Sequence, residues 1–71
     1  MFLTISNNAC YQFNFYSGYD CIQGYIVDQD ENFFKIKLKD VNALKTTFKP
    51  IDDIIYLSKN DIKYFFKVSE N

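Results

Sequence analysis

Phe33, Lys35, Lys37 and Lys39 fall on alternate positions, and so do Lys63, Phe65 and Lys67. A lysine ammonium neutralises a phosphate and a phenylalanine ring stacks on a base. A row that mixes the two therefore has the chemistry of a face for single-stranded nucleic acid. The same rows also read as solvated strand faces on which lysine opposes edge-to-edge aggregation. The tyrosines Tyr11, Tyr16, Tyr19, Tyr25, Tyr56 and Tyr64 offer a different chemistry. So short a chain cannot bury them all with satisfied hydroxyls, and tyrosine is enriched in the cores of protein interfaces. Tyr16 and Tyr19 flank the Ser17-Gly18 turn signal and, with Phe65, are the candidates for protein contact. Scattered surface tyrosine is the alternative.

Catalytic chemistry is poorly supplied. The chain has no histidine, the commonest general base near neutral pH. It has no glycine-rich phosphate loop, and no serine or cysteine in the setting of an activated nucleophile. Asp28, Asp30 and Glu31 make an acidic turn whose spacing does not match a calcium loop. Asp52 and Asp53 are adjacent, and adjacent residues on extended chain point apart. Cys10 and Cys21 without a histidine make no convincing zinc set. They read as reduced structural thiols of a cytoplasmic protein. No catalytic, metal or cofactor site is expected.

The charge balance narrows the partners. The formal net charge is −1, all eight cations are lysine, and there is no arginine. Nucleic-acid domains usually carry a basic excess and use the arginine fork for phosphate and guanine. The balance leans instead toward a protein partner. Eight Phe and six Tyr make the chain 20% aromatic, more ring surface than a core of this size easily hides.

The elements that must position these residues read as strands. Turn signals at Asn7-Asn8, Ser17-Gly18, Asp28 to Asn32, Pro50 to Asp53 and Lys59 to Asp61 separate short runs rich in Phe, Tyr, Ile and Val. From Phe33 to Lys39, period two puts Phe34, Ile36 and Leu38 on one face and the lysines on the other. The same rule over 62–68 puts Ile62, Tyr64, Phe66 and Val68 inward and Lys63, Phe65 and Lys67 outward. Tyr11 to Phe15 alternates as well. Cys21 to Val27 is nearly all apolar and reads as a curved central strand, with Gly24 at a sharp bend. Met1 to Ser6 reads as a strand and carries no signal-peptide pattern. Asp40 to Leu44 could hold one helical turn. A helix through residues 51–64, started by Asp52 and Asp53, is the competing assignment.

Residues 13–57 resemble the Sm-like family, which includes the Hfq-type RNA chaperones. The first motif is matched by Phe13-Asn14-Phe15, then Gly18, then Ile22-Gln23-Gly24-Tyr25-Ile26, with Asp30 six residues beyond Gly24 and the strand Phe33 to Leu38 after it. The second is matched by Phe48-Lys49-Pro50-Ile51-Asp52-Asp53-Ile54-Ile55, which looks like the Tyr-Lys-His-x-Ile-Ser block of Hfq. Pro50 stands where that block has histidine, and Asp52-Asp53 adds negative charge beside it. The resemblance implies a ring of small barrels and an RNA-contacting pore at Phe48 and Lys49.

The expectation is one domain over residues 1–71, all-β, with a strongly bent antiparallel sheet of five to six strands closing into an Sm-like barrel. It acts as a non-enzymatic binding module through protein–protein contact, by self-assembly or by regulating or inhibiting a larger protein. The alternative is an oligomeric Hfq/Sm-type ring binding single-stranded RNA through Phe48, Lys49, Phe33, Lys35, Lys37, Lys63 and Lys67. No membrane partner is expected.

Overall fold

The computed structural model of the chain describes residues 9–17, 21–44 and 46–70, and the structural statements below concern these. The strand expected over residues 1–6 lies outside them. Five strands form one antiparallel sheet: β1 (Ala9–Phe15), β2 (Ile22–Gln29), β3 (Phe33–Leu38), β4 (Ile54–Ser58) and β5 (Ile62–Glu70). Their spatial order is β4-β3-β2-β1-β5. The competing helix over 51–64 does not form; that stretch holds β4, a 3-10 turn over Lys59–Asp61 and the start of β5. The possible helical turn near Asp40 is a 3-10 turn over Val41–Ala43, and the Asp40 side chain accepts from the Asn42 N–H.

The sheet curls round an aromatic core. Phe34 on β3 and Phe65 on β5 stand three ladder steps apart, which in a flat sheet means about 14 Å. Their ring centroids are 5.9 Å apart. Phe13 on β1 lies between them, 5.9 Å from Phe34 and 5.6 Å from Phe65. Phe13, Ile26, Phe34, Ile36 and Leu57 are buried here, with Tyr11, Ile22, Ile55, Ile62 and Phe65 packed against them. Each fully buried side chain of this kind contributes about 1.5–3 kcal/mol. A domain this small has only a thin margin to begin with.

Gly24 lets β2 and β3 close to this distance. A Cβ at Gly24 would sit 2.5 Å from the Ile36 Cγ2 and 2.6 Å from the Lys37 carbonyl oxygen. The bend expected at this glycine is thus a close approach of two backbones, which no other residue type permits.

The ladders carry three register shifts, one between β2 and β3 and two between β1 and β5, and those at Val27 and Lys63 decide which side chains meet the core. On β2, Ile26 pairs with Ile36 and Asp28 pairs with Lys35, leaving Val27 as the extra residue. Asp28 is thereby turned outward instead of following Ile26 into the core. On β5, Ile62 pairs with Phe15 and Tyr64 pairs with Asn14, leaving Lys63 as the extra residue. The bulge inverts the alternation expected for Tyr64 to Phe66, while Ile62 stays on the core side as expected and Val68, skipped by a second register shift, is exposed instead of inward. Ile62 and Phe65 pack on the core, while Tyr64 and Phe66 are exposed. Phe65 is therefore not an outward residue.

The sheet does not close by pairing its ends. β4 and β5 are its two edges, and among the described residues no ladder joins them. They meet at one corner, the turn over Lys59–Asp61. There the Lys59 N–H donates to the Asn32 carbonyl (2.8 Å), and the Asp61 carbonyl accepts from the Tyr16 N–H (2.8 Å). The corner thus ties the β2–β3 hairpin to the end of β1.

Candidate functional site

Three surfaces carry the residues singled out by type. The first is the convex face of β2, β3 and β4. Phe33 and Lys37 are exposed and Lys35 is half-buried, while Phe34, Ile36 and Leu38 are buried. Across the ladders, Lys35 stands opposite Asp28 and Tyr56, and Lys37 opposite Tyr25 and Ile54. Between Asp28, Asp30, Phe33, Lys35 and Tyr56 lies a shallow groove of about 110 Å³. Two carboxylates and one lysine thus line this groove. Lys37 is engaged as well, its Nζ donating to the Asp52 carbonyl at 3.2 Å.

The acidic turn beside this groove supports its own hairpin. Asp30 Oδ1 accepts from the backbone N–H groups of Asn32 and Phe33, both at 2.8 Å. These bonds hold the Asp30 carboxyl below its ordinary pKa, aided by the charge of Lys59 and opposed by slight desolvation. Asp28 Oδ1 likewise accepts from the Gln29 N–H at 2.8 Å. Asp52 and Asp53 both have left-handed backbone, with φ of 57° and 58°. With the Ile54 N–H donating to the Ile51 carbonyl, they form a tight turn that leads into β4.

The second surface is the connection from β3 to β4. Phe48 and Ile51 are each 85% exposed, the most exposed large apolar side chains described. Lys49 is turned back on the loop, its Nζ donating to the Leu44 carbonyl at 2.7 Å. The ring and cation are adjacent in sequence but do not converge on one outward site. They also precede β4, whereas the tight turn joining the last two strands is Lys59–Asp61.

The third surface is one that strict alternation along β5 does not reveal as a unit. On the outer side of β1 and β5, Tyr64 and Phe66 are 52% and 45% exposed. Their rings are 6.4 Å apart and within 18° of parallel. Beside them runs a chain of side-chain amides. Gln23 Nε2 donates to Gln12 Oε1 (2.9 Å), and Gln12 Nε2 donates to Asn14 Oδ1 (3.2 Å). Lys63 and Lys67 are exposed on the same strand. Tyr16, at the end of β1, is 67% exposed, while Tyr19 lies outside the described residues. The bulge at Lys63 hid this row from a period-two reading; the doublet Phe65-Phe66, which no strict alternation accommodates, was its one trace in the sequence.

Cys10 is buried and Cys21 exposed, and both are free thiols. Among the described residues, no cluster of cysteine and carboxylate side chains could hold a metal ion. No helix among them is long and apolar enough to cross a membrane.

The chain is a small all-β protein, one five-stranded antiparallel sheet curled round a phenylalanine core. No family model, no curated protein and no solved structure matches it.

Proposed function

We propose that the chain is a non-enzymatic binding module that acts through protein–protein contact, either between copies of itself or against a larger protein that it regulates. One observation carries this reading. β5 is an edge strand without a partner on its outer side among the described residues, and it exposes Tyr64, Phe66 and Val68. Unpaired N–H and C=O groups beside aromatic side chains are what strand-to-strand association uses. Tyr16 extends the exposed aromatic surface at the end of the neighbouring strand. Curling of the sheet, with its outer strands joined by one three-residue corner, supports an Sm-like barrel as the architecture.

A second reading, an Hfq/Sm-type ring holding single-stranded RNA, draws support from the exposed Phe33 and Lys37 on β3 and from Phe48 at the loop tip. Against it stand the bonds that engage Lys37 and Lys49 with the fold, and Asp28 opposite Lys35. Native mass by light scattering, with and without a mixed short RNA at low and moderate salt, separates the two. Protein contact predicts a mass indifferent to RNA. A ring-sized mass that rises with RNA and falls back as salt increases would overturn the first reading in favour of the second.

A further inference from the structure

A cleft of about 270 Å³ opens beside the first half of β5, lined by Phe34, Lys59, Ile62, Lys63, Tyr64 and Phe65. It lies where the chain leaves β4 through the corner turn and starts β5. The core rings Phe34 and Phe65 line it, and four of its lining residues, Ile62 to Phe65, belong to β5, an edge strand of the sheet. The volume is just under the range of small-molecule pockets, about 300–1,000 Å³, and has room for one apolar side chain. Lys59 forms a fixed cationic wall. Its Nζ sits 4.6 Å over the Phe34 ring and donates to Gln29 Oε1 at 3.3 Å. Lys63 differs: it is exposed, it is the bulged residue, and its side chain makes no hydrogen bond or ion pair among the described residues.

Strand addition needs a free strand backbone, a pocket for an alternate side chain and a feature that fixes register. All three coincide here. We propose that β5 takes up an extended segment of another protein by strand addition, with an apolar side chain of that segment in the cleft and a carboxylate against Lys63. This rests on the protein-binding reading and names the partner's chemistry, a strand that alternates apolar and acidic residues. The lysines at the cleft set the selectivity. An acidic neighbour of the anchor meets an ammonium, whereas a basic one meets a like charge.

The test uses a fluorescein-labelled peptide alternating phenylalanine and glutamate, titrated into the full isotope-labelled chain. Fluorescence anisotropy gives the affinity and amide shifts give the location. The shifts are expected to cluster on residues 62–66 and Phe34. Replacing the peptide's phenylalanines by alanine should weaken binding at least about tenfold. Lys63→Glu, an exposed change whose melting curve is checked in parallel, should weaken it about twofold to fivefold. N-methylation of alternate peptide amides should abolish binding in one of the two registers and spare the other. Shifts away from β5, equal binding of a lysine-for-glutamate peptide, or indifference to methylation in both registers would each overturn the proposal. A chain that self-associates by light scattering yet ignores the peptide assigns the edge to a second copy, so the proposal falls while the protein-binding reading stands. A chain that ignores the peptide and gains mass with RNA in a salt-dependent way removes both.

Discussion

At the scale of single residues, Gly24 and Asp30 carry the sharpest consequences. A glycine inside a strand normally weakens it, and alanine at a compatible site gains about 0.4–1 kcal/mol. Gly24 reverses that sign, because the added methyl would meet the Lys37 carbonyl oxygen, a backbone atom, at 2.6 Å. Gly24→Ala should cost about 1–3 kcal/mol and lower the melting temperature by about 5–20 °C. An unchanged or raised melting temperature would show that the two strands do not approach this closely. Asp30 sets part of the pH dependence. Its carboxylate is held in the charged form by the N–H groups of Asn32 and Phe33 and by Lys59, so its folded pKa lies below the unfolded one. The stability it supplies is complete above the unfolded value, about 4, and is lost as pH falls through the lowered folded value. Asp30→Asn keeps an oxygen to accept the two N–H bonds but has no proton to bind. Urea midpoints of the variant should therefore fall less steeply than those of the parent below about pH 4. Parallel curves would mean that Asp30 is not the group being titrated.

At the scale of elements, the sequence was most readable where strands keep strict alternation. From Phe33 to Leu38 the pattern alone separates the buried Phe34, Ile36 and Leu38 from the exposed Phe33 and Lys37. β5 was readable as a strand but not in its facing, since the bulge at Lys63 moves Tyr64, Phe65 and Phe66 to the faces opposite those that alternation assigns. The candidate surface suffers most from that shift. Phe65 was an outward candidate and lies on the core, while Tyr64 and Phe66 were core candidates and are exposed. Paired substitutions check the register directly. Phe65→Ala removes a ring in contact with Tyr11, Phe13 and Phe34 and should cost about 3 kcal/mol or more. Phe66→Ala should cost under about 1 kcal/mol. The opposite ranking, measured by urea unfolding, would restore the unbulged strand. Meeting points such as the corner at Lys59–Asp61, which bonds Asn32 and Tyr16, could not be read at all. They depend on how far the whole sheet curls, a property of no single segment.

At the scale of the whole molecule, the curl and the open edges belong together. A sheet short enough to bring β3 and β5 into ring contact gains its core by bending. The outer sides of its first and last strands in space are left without a partner strand among the described residues. A small domain has little stability to spare, and an edge that carries Tyr64, Phe66 and Val68 exposes apolar surface that association would cover. Tyr64→Lys with Phe66→Lys tests whether that surface governs association without disturbing the fold. Both side chains point away from the core, so each change should alter the unfolding free energy by about 0.5 kcal/mol or less. Two added charges on an open edge should suppress strand-to-strand contact. The parent should therefore show light-scattering mass, or aggregation, that grows with protein concentration, while the double variant stays at the monomer mass of 8.4 kDa, nearly that of the unmodified chain. Equal, concentration-independent masses for both would show that copies of the chain do not meet through this edge and would remove self-assembly from the protein-binding reading. A double variant that unfolds would instead mean that Tyr64 and Phe66 hold the sheet together, and would place the outer side of β5 within the core-forming surface.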